Sequence, residues 1–417
     1  MGIPPLALPK EVNIMGLIVQ KFGGSSVADA ERVFRVANRV VETYDQGNDV
    51  IVVVSAQGDT TDDLIAKAQE INKDASKREM DVLLSAGEQI SMSLLAMAIE
   101  KLGRPVVSLT GWQAGVNTDI NYSKARIKRV VGERIQHELD KKKIVIVAGF
   151  QGINKYDNIT TLGRGGSDTS AVAIAAALGA DLCQIFTDVT GVYTTDPRIV
   201  PEAKKLNEIT YDEMLELASA GANVLHNRSV ELAKKFNVNM EVLSSFVKEP
   251  GTIVKEENTV EKMLIRGIAR DNDVARIALV NIDDTPGKAF QIFSILAKKK
   301  VNVDVILQSI GRDGSKDISF TVSSDDLQTA LNIINENNAI IGAEKVIHDE
   351  NVSKVSVVGA GMTSNPGVAA TMFEALYDAG INIQMISTSE IRVSVLIDRK
   401  DAEKAVKAIH DKFELNN

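Results

Sequence analysis

The sequence predicts an α/β protein: one large domain on a mainly parallel sheet, followed by two small βαββαβ modules. Three observations predict it. Short β-branched runs alternate with helical stretches of ten or more residues over about residues 14–250, the pattern of βαβ crossovers. The texture turns polar and turn-rich near residue 250, as a linker does. Beyond it, Pro286, Gly287, Ala289, Phe293, Leu296, Asn302, Ile306 and Ser309 each find the same residue type 80 positions on, which marks a duplicated unit. The division that follows is 14–250 for the large domain, 251–263 for the linker, 264–345 for the first module and 346–417 for the second. The second module is open to interleaving its strands with the first.

The elements follow in order. Leu17–Phe22 reads as a strand running into Gly23-Gly24-Ser25-Ser26, with an amphipathic helix over about 28–42. Val50–Val54 is almost wholly apolar and β-branched, a strand buried on both faces. Helices are expected near 61–71 and 80–102, a strand at 106–109, a helix near 124–141 and a strand at 143–148. Ser167-Asp168 opens an alanine-rich helix to residue 178, and a strand follows at 182–187. Helices near 211–218 and 230–236 precede a strand at 239–244. Each repeat copy reads as strand, Pro-Gly turn, helix, two strands and helix, and 343–348 supplies the first copy with a further strand. Such a unit has an antiparallel four-stranded sheet with two helices on one face. Its other face is bare, which predicts pairing with the sister copy or with another subunit.

Composition narrows the function. Hydrophobic residues make up 44% and charged residues 25%, enough for packed cores. Aromatics are only 4% and the net charge is −9, so a stacking surface for bases, a phosphate backbone and an anionic membrane are all poor partners. Cys183 is the single cysteine; no intrachain disulfide or cysteine zinc cluster can form, which fits a reducing compartment. No run of 18 apolar residues predicts a membrane span. No basic region precedes an apolar stretch at the start, so cytoplasm is expected. His137, His226, His348 and His410 are dispersed along the chain and suggest neither a histidine metal site nor a serine–histidine–acid triad.

Four segments remain that can carry chemistry. Lys21-Phe22-Gly23-Gly24-Ser25-Ser26 comes at a strand end, where α/β folds place ligands. It is either a glycine turn beside a surface lysine or an anion cradle of amides, hydroxyls and one ammonium. It matches neither GxxxxGK[ST] nor GxGxxG. Gly163-Arg164-Gly165-Gly166-Ser167-Asp168 offers a second cradle at a helix start; Asp168 is either a helix cap or the group that orders a lysine or a hydrated magnesium ion. Two such cradles favour phosphoryl transfer, which needs charge stabilisation around moving oxygens and little else. Glu88, in Ser85-Ala86-Gly87-Glu88, is either a surface glutamate or a partner for a substrate ammonium. Thr187-Asp188-Val189-Thr190-Gly191-Val192-Tyr193 leads to Arg198, and Tyr193 and Arg198 suit a base and a phosphate unless the segment is only a turn.

Together with Val54-Ser55-Ala56 and Thr194-Thr195-Asp196-Pro197, these motifs closely resemble the aspartate kinases, or aspartokinases, over nearly the whole chain from about Leu17. The type resembled has one kinase domain and two regulatory ACT domains. The resemblance implies an amino-acid/carbamate kinase-like fold, a three-layer αβα sandwich, and transfer of a phosphoryl group from ATP with Mg2+ to L-aspartate. It implies Lys21 and Asp168 as catalytic residues, with Asp168 ordering Lys21 and the magnesium-bound phosphates. Ser55, Thr61, Glu88 and Arg164 would hold aspartate, Glu88 at the ammonium and Arg164 at the α-carboxylate. Lys21, Gly23, Gly24, Ser25, Thr187, Asp188, Tyr193 and Arg198 would hold the nucleotide. No metal ligand comes directly from the protein; Mg2+ would ride on the ATP phosphates near Asp168.

The resemblance further implies lysine and/or threonine as an effector, bound around Asp284, Gly287, Asn302, Gln308 and Ser309 of the first module. A homodimer or a dimer of dimers is expected. The pattern departs at Asn223, where many relatives carry a lysine that reaches the nucleotide, and at Thr190, where aspartate is common. Two alternatives stand beside this reading: a kinase for another acceptor such as glutamate, and a non-catalytic amino-acid sensor on the same fold. Glu88 and the paired modules speak against the first; Lys21, Arg164 and Asp168 speak against the second.

Overall fold

Val50–Val54 is wholly buried, and the larger unit is built outward from it. The computed structural model describes residues 16–222, 224–256, 265–309, 314–359, 362 and 367–415. Asn223, residues 257–264 and the Ser364-Asn365-Pro366 turn of the second repeat lie outside the described residues. Two compact units form: residues 16–192, 206–211 and 224–256 make one, and 193–205, 212–222 and the described residues from 265 onward make the other.

In chain order the first unit contains β1 (Leu17–Phe22), a 3-10 turn over Gly24–Val27, α1 (Ala30–Asp45), β2 (Asp49–Val54), α2 (Thr60–Ile71), α3 (Lys77–Lys101), β3 (Val106–Leu109), β4 (Val116–Thr118), β5 (Ile127–Val130), α4 (Glu133–Asp140), β6 (Ile144–Ala148), β7 (Gln151–Ile153), β8 (Ile159–Thr161), α5 (Gly166–Leu178), β9 (Leu182–Thr187) and β10 (Glu208–Thr210). After α6 (Tyr211–Ser219), which begins where the chain passes between units, come α7 (Asn227–Phe236), β11 (Met240–Ser244) and β12 (Thr252–Lys255). The main sheet has eight strands in the order β10-β12-β11-β9-β1-β2-β6-β3. All neighbours are parallel except β11 and β12. Valines and isoleucines fill β2 and β6 because helices cover both faces, and each fully buried side chain contributes about 1.5–3 kcal/mol. Parallel strands share one carboxyl edge, where β1, β2, β6 and β9 end together.

A second, four-stranded sheet, β5-β4-β7-β8, replaces part of the helix that the sequence predicts over 124–141. Ile127–Val130 instead pairs antiparallel with Val116–Thr118, and the helix starts only after Gly132. One buried carboxylate ties this sheet to α3. Asp81 accepts from the Thr161 amide at 2.9 Å, the Thr161 hydroxyl at 2.8 Å and the Ser123 amide at 2.9 Å. By length and composition α3 could cross a bilayer. Here it carries Asp81 and Glu88 buried on its inner face.

The smaller unit contains β13 (Gly267–Asp271), β14 (Ala275–Asp283), α8 (Lys288–Lys298), β15 (Ile306–Gln308), β16 (Ser315–Val322), α9 (Ser324–Glu336), α10 (Asn338–Ile341), β17 (Lys345–Asp349), β18 (Val352–Val358), α11 (Val368–Asp378), β19 (Met385–Thr388), β20 (Arg392–Asp398) and α12 (Ala402–Lys412). Its two antiparallel sheets are β15-β16-β14-β17 and β13-β18-β20-β19. The strand at 267–271, which the sequence division assigns to the first module, completes the second: it flanks β18 as β17 flanks β14. The repeat explains the exchange, because the described chain after α12 offers no fourth strand, and a strand's sequence does not name its partner.

The segments 193–205 and 212–222, which the sequence division assigns to the large domain, also pack in this unit. Ile199, Val200 and Ala203 are buried with Ile268, Val355 and Ile409. The Thr194 hydroxyl lies 3.0 Å from His410 Nε2, and Arg266 pairs with Glu213 at 3.0 Å, both pairs buried. Between the sheets, Val274, Val305, Val352, Met385 and Leu396 share one cluster, and the buried Lys354 reaches Asp304 at 2.6 Å and Asp271 at 3.4 Å.

The Asp81 anchor gives a stability prediction. Asp81→Ala strands the Thr161 and Ser123 amides without acceptors and should cost about 3 kcal/mol, read as a lower urea midpoint with unchanged m. Loss of under about 1 kcal/mol would contradict the anchoring role.

Candidate active site

At the carboxyl edge of the main sheet, the ends of β1, β2 and β6 open onto one pocket. Lys21 is the penultimate residue of β1, and the next side chain, Phe22, turns inward to stack on Phe186 of β9 with ring centroids 4.5 Å apart. The chain then coils through Gly23–Val27. A Cβ on Gly24 would stand 2.6 Å from the Ala56 carbonyl oxygen, so only glycine lets this turn lie against the loop after β2. The Gly58 amide donates to the Gly24 carbonyl at 3.1 Å and the Ser55 amide to the Phe22 carbonyl at 3.1 Å.

Opposite, Gly165 leads into α5 with φ +68, and no side chain caps the helix. A Cβ there would be strained by the backbone and would meet the His226 side chain 2.2–2.5 Å away. Asp168, in the first turn of α5, brings Oδ1 to 2.6 Å from Lys21 Nζ, with both side chains about one-eighth exposed. The contact is a close ion pair. Phe150, just past β6, holds φ +65, an unfavourable conformation for an aromatic residue that its surroundings enforce.

Glu88 projects from α3 and is 3% exposed. Its Oε1 accepts from the Ala56 amide at 3.0 Å, while Oε2 is buried without a hydrogen-bond partner. Burial pushes its pKa up to about 7, against the pull of the Ala56 amide. Arg164 is exposed. Burial holds His226 below the usual imidazole range, and its Nδ1 accepts from the Arg228 amide at 3.3 Å.

Of the residues singled out from sequence, Lys21, Gly23, Gly24, Ser55, Thr61, Glu88, Arg164 and Asp168 line one pocket of about 290 Å³. Ala56 and Ser167, from the Val54-Ser55-Ala56 motif and the second cradle, join them, as do Gly58 and Phe150, for which the sequence suggested no role. Phe150 could have been flagged by its position in Gly149-Phe150-Gln151-Gly152 after a buried strand. Ser25 and Thr187 are not in this lining. Thr187 donates to the Asp188 carboxylate at 3.0 Å. Tyr193 and Arg198 fall in the other unit, where Arg198 holds Asp196 through Nε at 2.9 Å and Nη2 at 2.8 Å and keeps that carboxyl below its usual range. Asn223 lies outside the described residues. In the first module, Asp284 pairs with Lys316 at 2.8 Å, Gly287 stands at the amino end of α8 with φ +93, Asn302 and Gln308 are exposed, and Ser309 exchanges hydrogen bonds with Asp317.

The arrangement offers an ammonium, a guanidinium, glycine-rich amides and a helix amino end around a small pocket, with one buried acid whose second oxygen lacks a hydrogen-bond partner. Converging positive charge of this kind stabilises a moving phosphoryl group. The Amino acid kinase family model matches residues 16–244 and an ACT domain model matches 277–337 and 355–413. An aspartokinase of Geobacillus stearothermophilus is 52% identical over 402 residues, covering 96% of this chain and 98% of the relative. A crystal structure of E. coli aspartokinase III in complex with aspartate and ADP aligns with a TM-score of 0.83 at 26% identity, over 95% of this chain and 99% of that one. The same enzyme in complex with lysine and aspartate aligns with a TM-score of 0.74, also at 26% identity, over the same 95% and 99%.

Fold and site thus define an ATP-dependent amino acid kinase carrying two ACT domains. Within that class the chain belongs to the aspartokinases, with the monofunctional architecture. It transfers the γ-phosphoryl group of ATP to L-aspartate, the first step toward lysine, threonine and methionine, and is feedback-regulated through its ACT domains.

Glu88 gives a pH-dependent prediction. An unfolded glutamate ionises near about 4.3, whereas the folded one keeps its proton to about 7. Between those values the folded state binds more protons, so this group's contribution to stability falls as pH rises. Glu88→Gln should therefore match wild type near about pH 4 and exceed it near about pH 8, by up to about 3 kcal/mol, while raising the aspartate KM at least about tenfold. Equal thermal midpoints at the higher pH together with an unchanged KM would contradict the reading.

Proposed function

We propose that the pocket at the carboxyl edge grips aspartate by its two charged ends and leaves the β-carboxylate free to attack ATP. The observation that carries this reading is the buried, partnerless Oε2 of Glu88. A carboxylate oxygen in that position lacks a cation, and the α-ammonium of an amino acid supplies one. Arg164, exposed across the same pocket, takes the α-carboxylate, with Ser55 and Thr61 beside it. That an E. coli relative binds aspartate and ADP supports the same pair of ligands here.

The acceptor is already ionised, its reference pKa being about 4, so no general base is required. A β-carboxylate oxygen bonds to the γ-phosphorus as the bond to the β,γ-bridging oxygen breaks, and ADP leaves. Lys21 sits at the phosphate cradle of Gly23, Gly24 and Ser25 and neutralises the charge on the moving oxygens. Asp168 holds Lys21 in place. A single carboxylate beside phosphate oxygens and water suits Mg2+ better than a protein cage would, and among the described residues no group of three or more acids, histidines or cysteines gathers. Mg2+ would supply charge neutralisation on the ATP phosphates, with Asp168 ordering its water shell. We assign Thr187 and Asp188, where β9 ends, to the nucleotide as well.

The effector reading is lysine and/or threonine at the first ACT domain, around Asp284, Gly287, Asn302, Gln308 and Ser309. The uncapped amino end of α8 at Gly287 suits a carboxylate, and the lysine complex of the E. coli relative supports an amino acid as the kind of effector. The edge strand β15 carries exposed Ile306 and Leu307, which favours a second copy across it and hence a homodimer or larger assembly. Cytoplasm is the compartment that supplies ATP and aspartate together.

Arg164→Ala should raise the aspartate KM at least about tenfold with little change in the ATP KM, and Lys21→Ala should lower kcat by about 100-fold or more. Steady-state kinetics with each substrate varied separates the two. A fall in ATP affinity for Arg164→Ala would move that residue to the phosphate cradle and overturn the map.

A further inference from the structure

Behind the Gly163-Arg164 turn lies a second cavity of about 640 Å³, entirely within the larger unit. Its wall carries Lys124, Arg126, Arg164, Arg228 and Lys235 against a single acid, Glu231. In a chain of net charge −9, this concentration of cations runs against the overall balance. Arg228 serves the fold. Its Nη1 donates to the Leu162 carbonyl at 2.5 Å and Nη2 to the Ala125 carbonyl at 3.0 Å, binding two turns together. Burial and the nearby Arg126 hold its pKa below the usual guanidinium range. The other four cations differ from it. Among the described residues none of them pairs with a carboxylate, whereas Arg104, Arg134 and Lys143 elsewhere in the unit each hold one at 2.7–3.0 Å. Lys235 rests over the Phe236 ring at 5.2 Å.

Unpaired cations around a concave wall repel one another, and that repulsion falls when an anion enters. We propose that this cleft binds a compact phosphate-bearing polyanion. The size of the cavity admits a small metabolite, and guanidinium groups present planar pairs of donors that match phosphate oxygens. Gly163 and Arg164 line both this cleft and the acceptor pocket. An anion here engages the guanidinium that aspartate's α-carboxylate would use, so occupancy of the cleft opposes aspartate binding. The binding claim stands on the cleft alone; the competition rests on the assignment of Arg164 to the acceptor.

Inorganic pyrophosphate serves as the probe. Calorimetric titration of the full chain, with the nucleotide site saturated by a non-hydrolysable ATP analogue and Mg2+, should show one site. The Arg126→Gln/Lys235→Gln double variant should weaken it at least about tenfold, with kcat, both KM values and the thermal midpoint unchanged in the absence of the probe. Pyrophosphate inhibition should be competitive with aspartate in wild type and lost in the double variant. No binding, or equal binding by wild type and the double variant, overturns the site. Binding that the variant weakens without competition against aspartate overturns the shared use of Arg164. The aspartate KM of Arg164→Ala reports separately on the acceptor assignment.

Discussion

A carboxylate buried with one oxygen unpartnered is the constraint on which the active site depends. Glu88 is held in place by the Ala56 amide on one side and by the packing of α3 on the other. Isolated in this way, it costs stability at neutral pH and is retained only if something else uses it. An ammonium is the simplest partner, which is the ground for proposing Glu88 as the group that receives the acceptor's amino end. The fold supplies the rest. The parallel sheet ends β1 and β2 side by side, so that the lysine of one strand and the loop after the other share an edge.

The same logic extends to regulation. Tyr193 and Arg198, expected at the nucleotide from the sequence resemblance, belong to a segment whose Ile199, Val200 and Ala203 are buried in the core of the second ACT domain. That domain is completed by β13, which comes from before the first. The two ACT domains are therefore bound by chain exchange, by a shared apolar cluster and by the buried Lys354 with its two aspartates. An effector that shifts one ACT domain therefore moves the other with it.

Much of this was legible in the amino-acid sequence, for identifiable reasons. Val50–Val54 could only be a doubly buried strand, and the repeat at an offset of 80 announced paired modules. The glycines around Lys21 and Arg164 marked the cradle because close backbone approach excludes side chains there. What escaped notice depended on tertiary choice. The strand at 127–130 was hidden inside a helix-like stretch, since its partner lies upstream across an irregular turn. The strand at 267–271 and the segment 193–205 carry ordinary apolar patterns that do not say which sheet or core they join. Phe150 and His226 were passed over because their roles arise from a backbone conformation and a glycine contact, neither of which composition records.

The central claim is that Glu88 waits for the acceptor's ammonium, and its ionisation can be followed directly. Carbon-13 NMR titration of side-chain-labelled glutamates, with the Glu88→Gln variant assigning the signal by its loss, should find Glu88 titrating near about 7 in the free protein and well below about 5 once aspartate saturates the site. An ordinary glutamate pKa in the free protein, or one that aspartate leaves unmoved, would contradict the account.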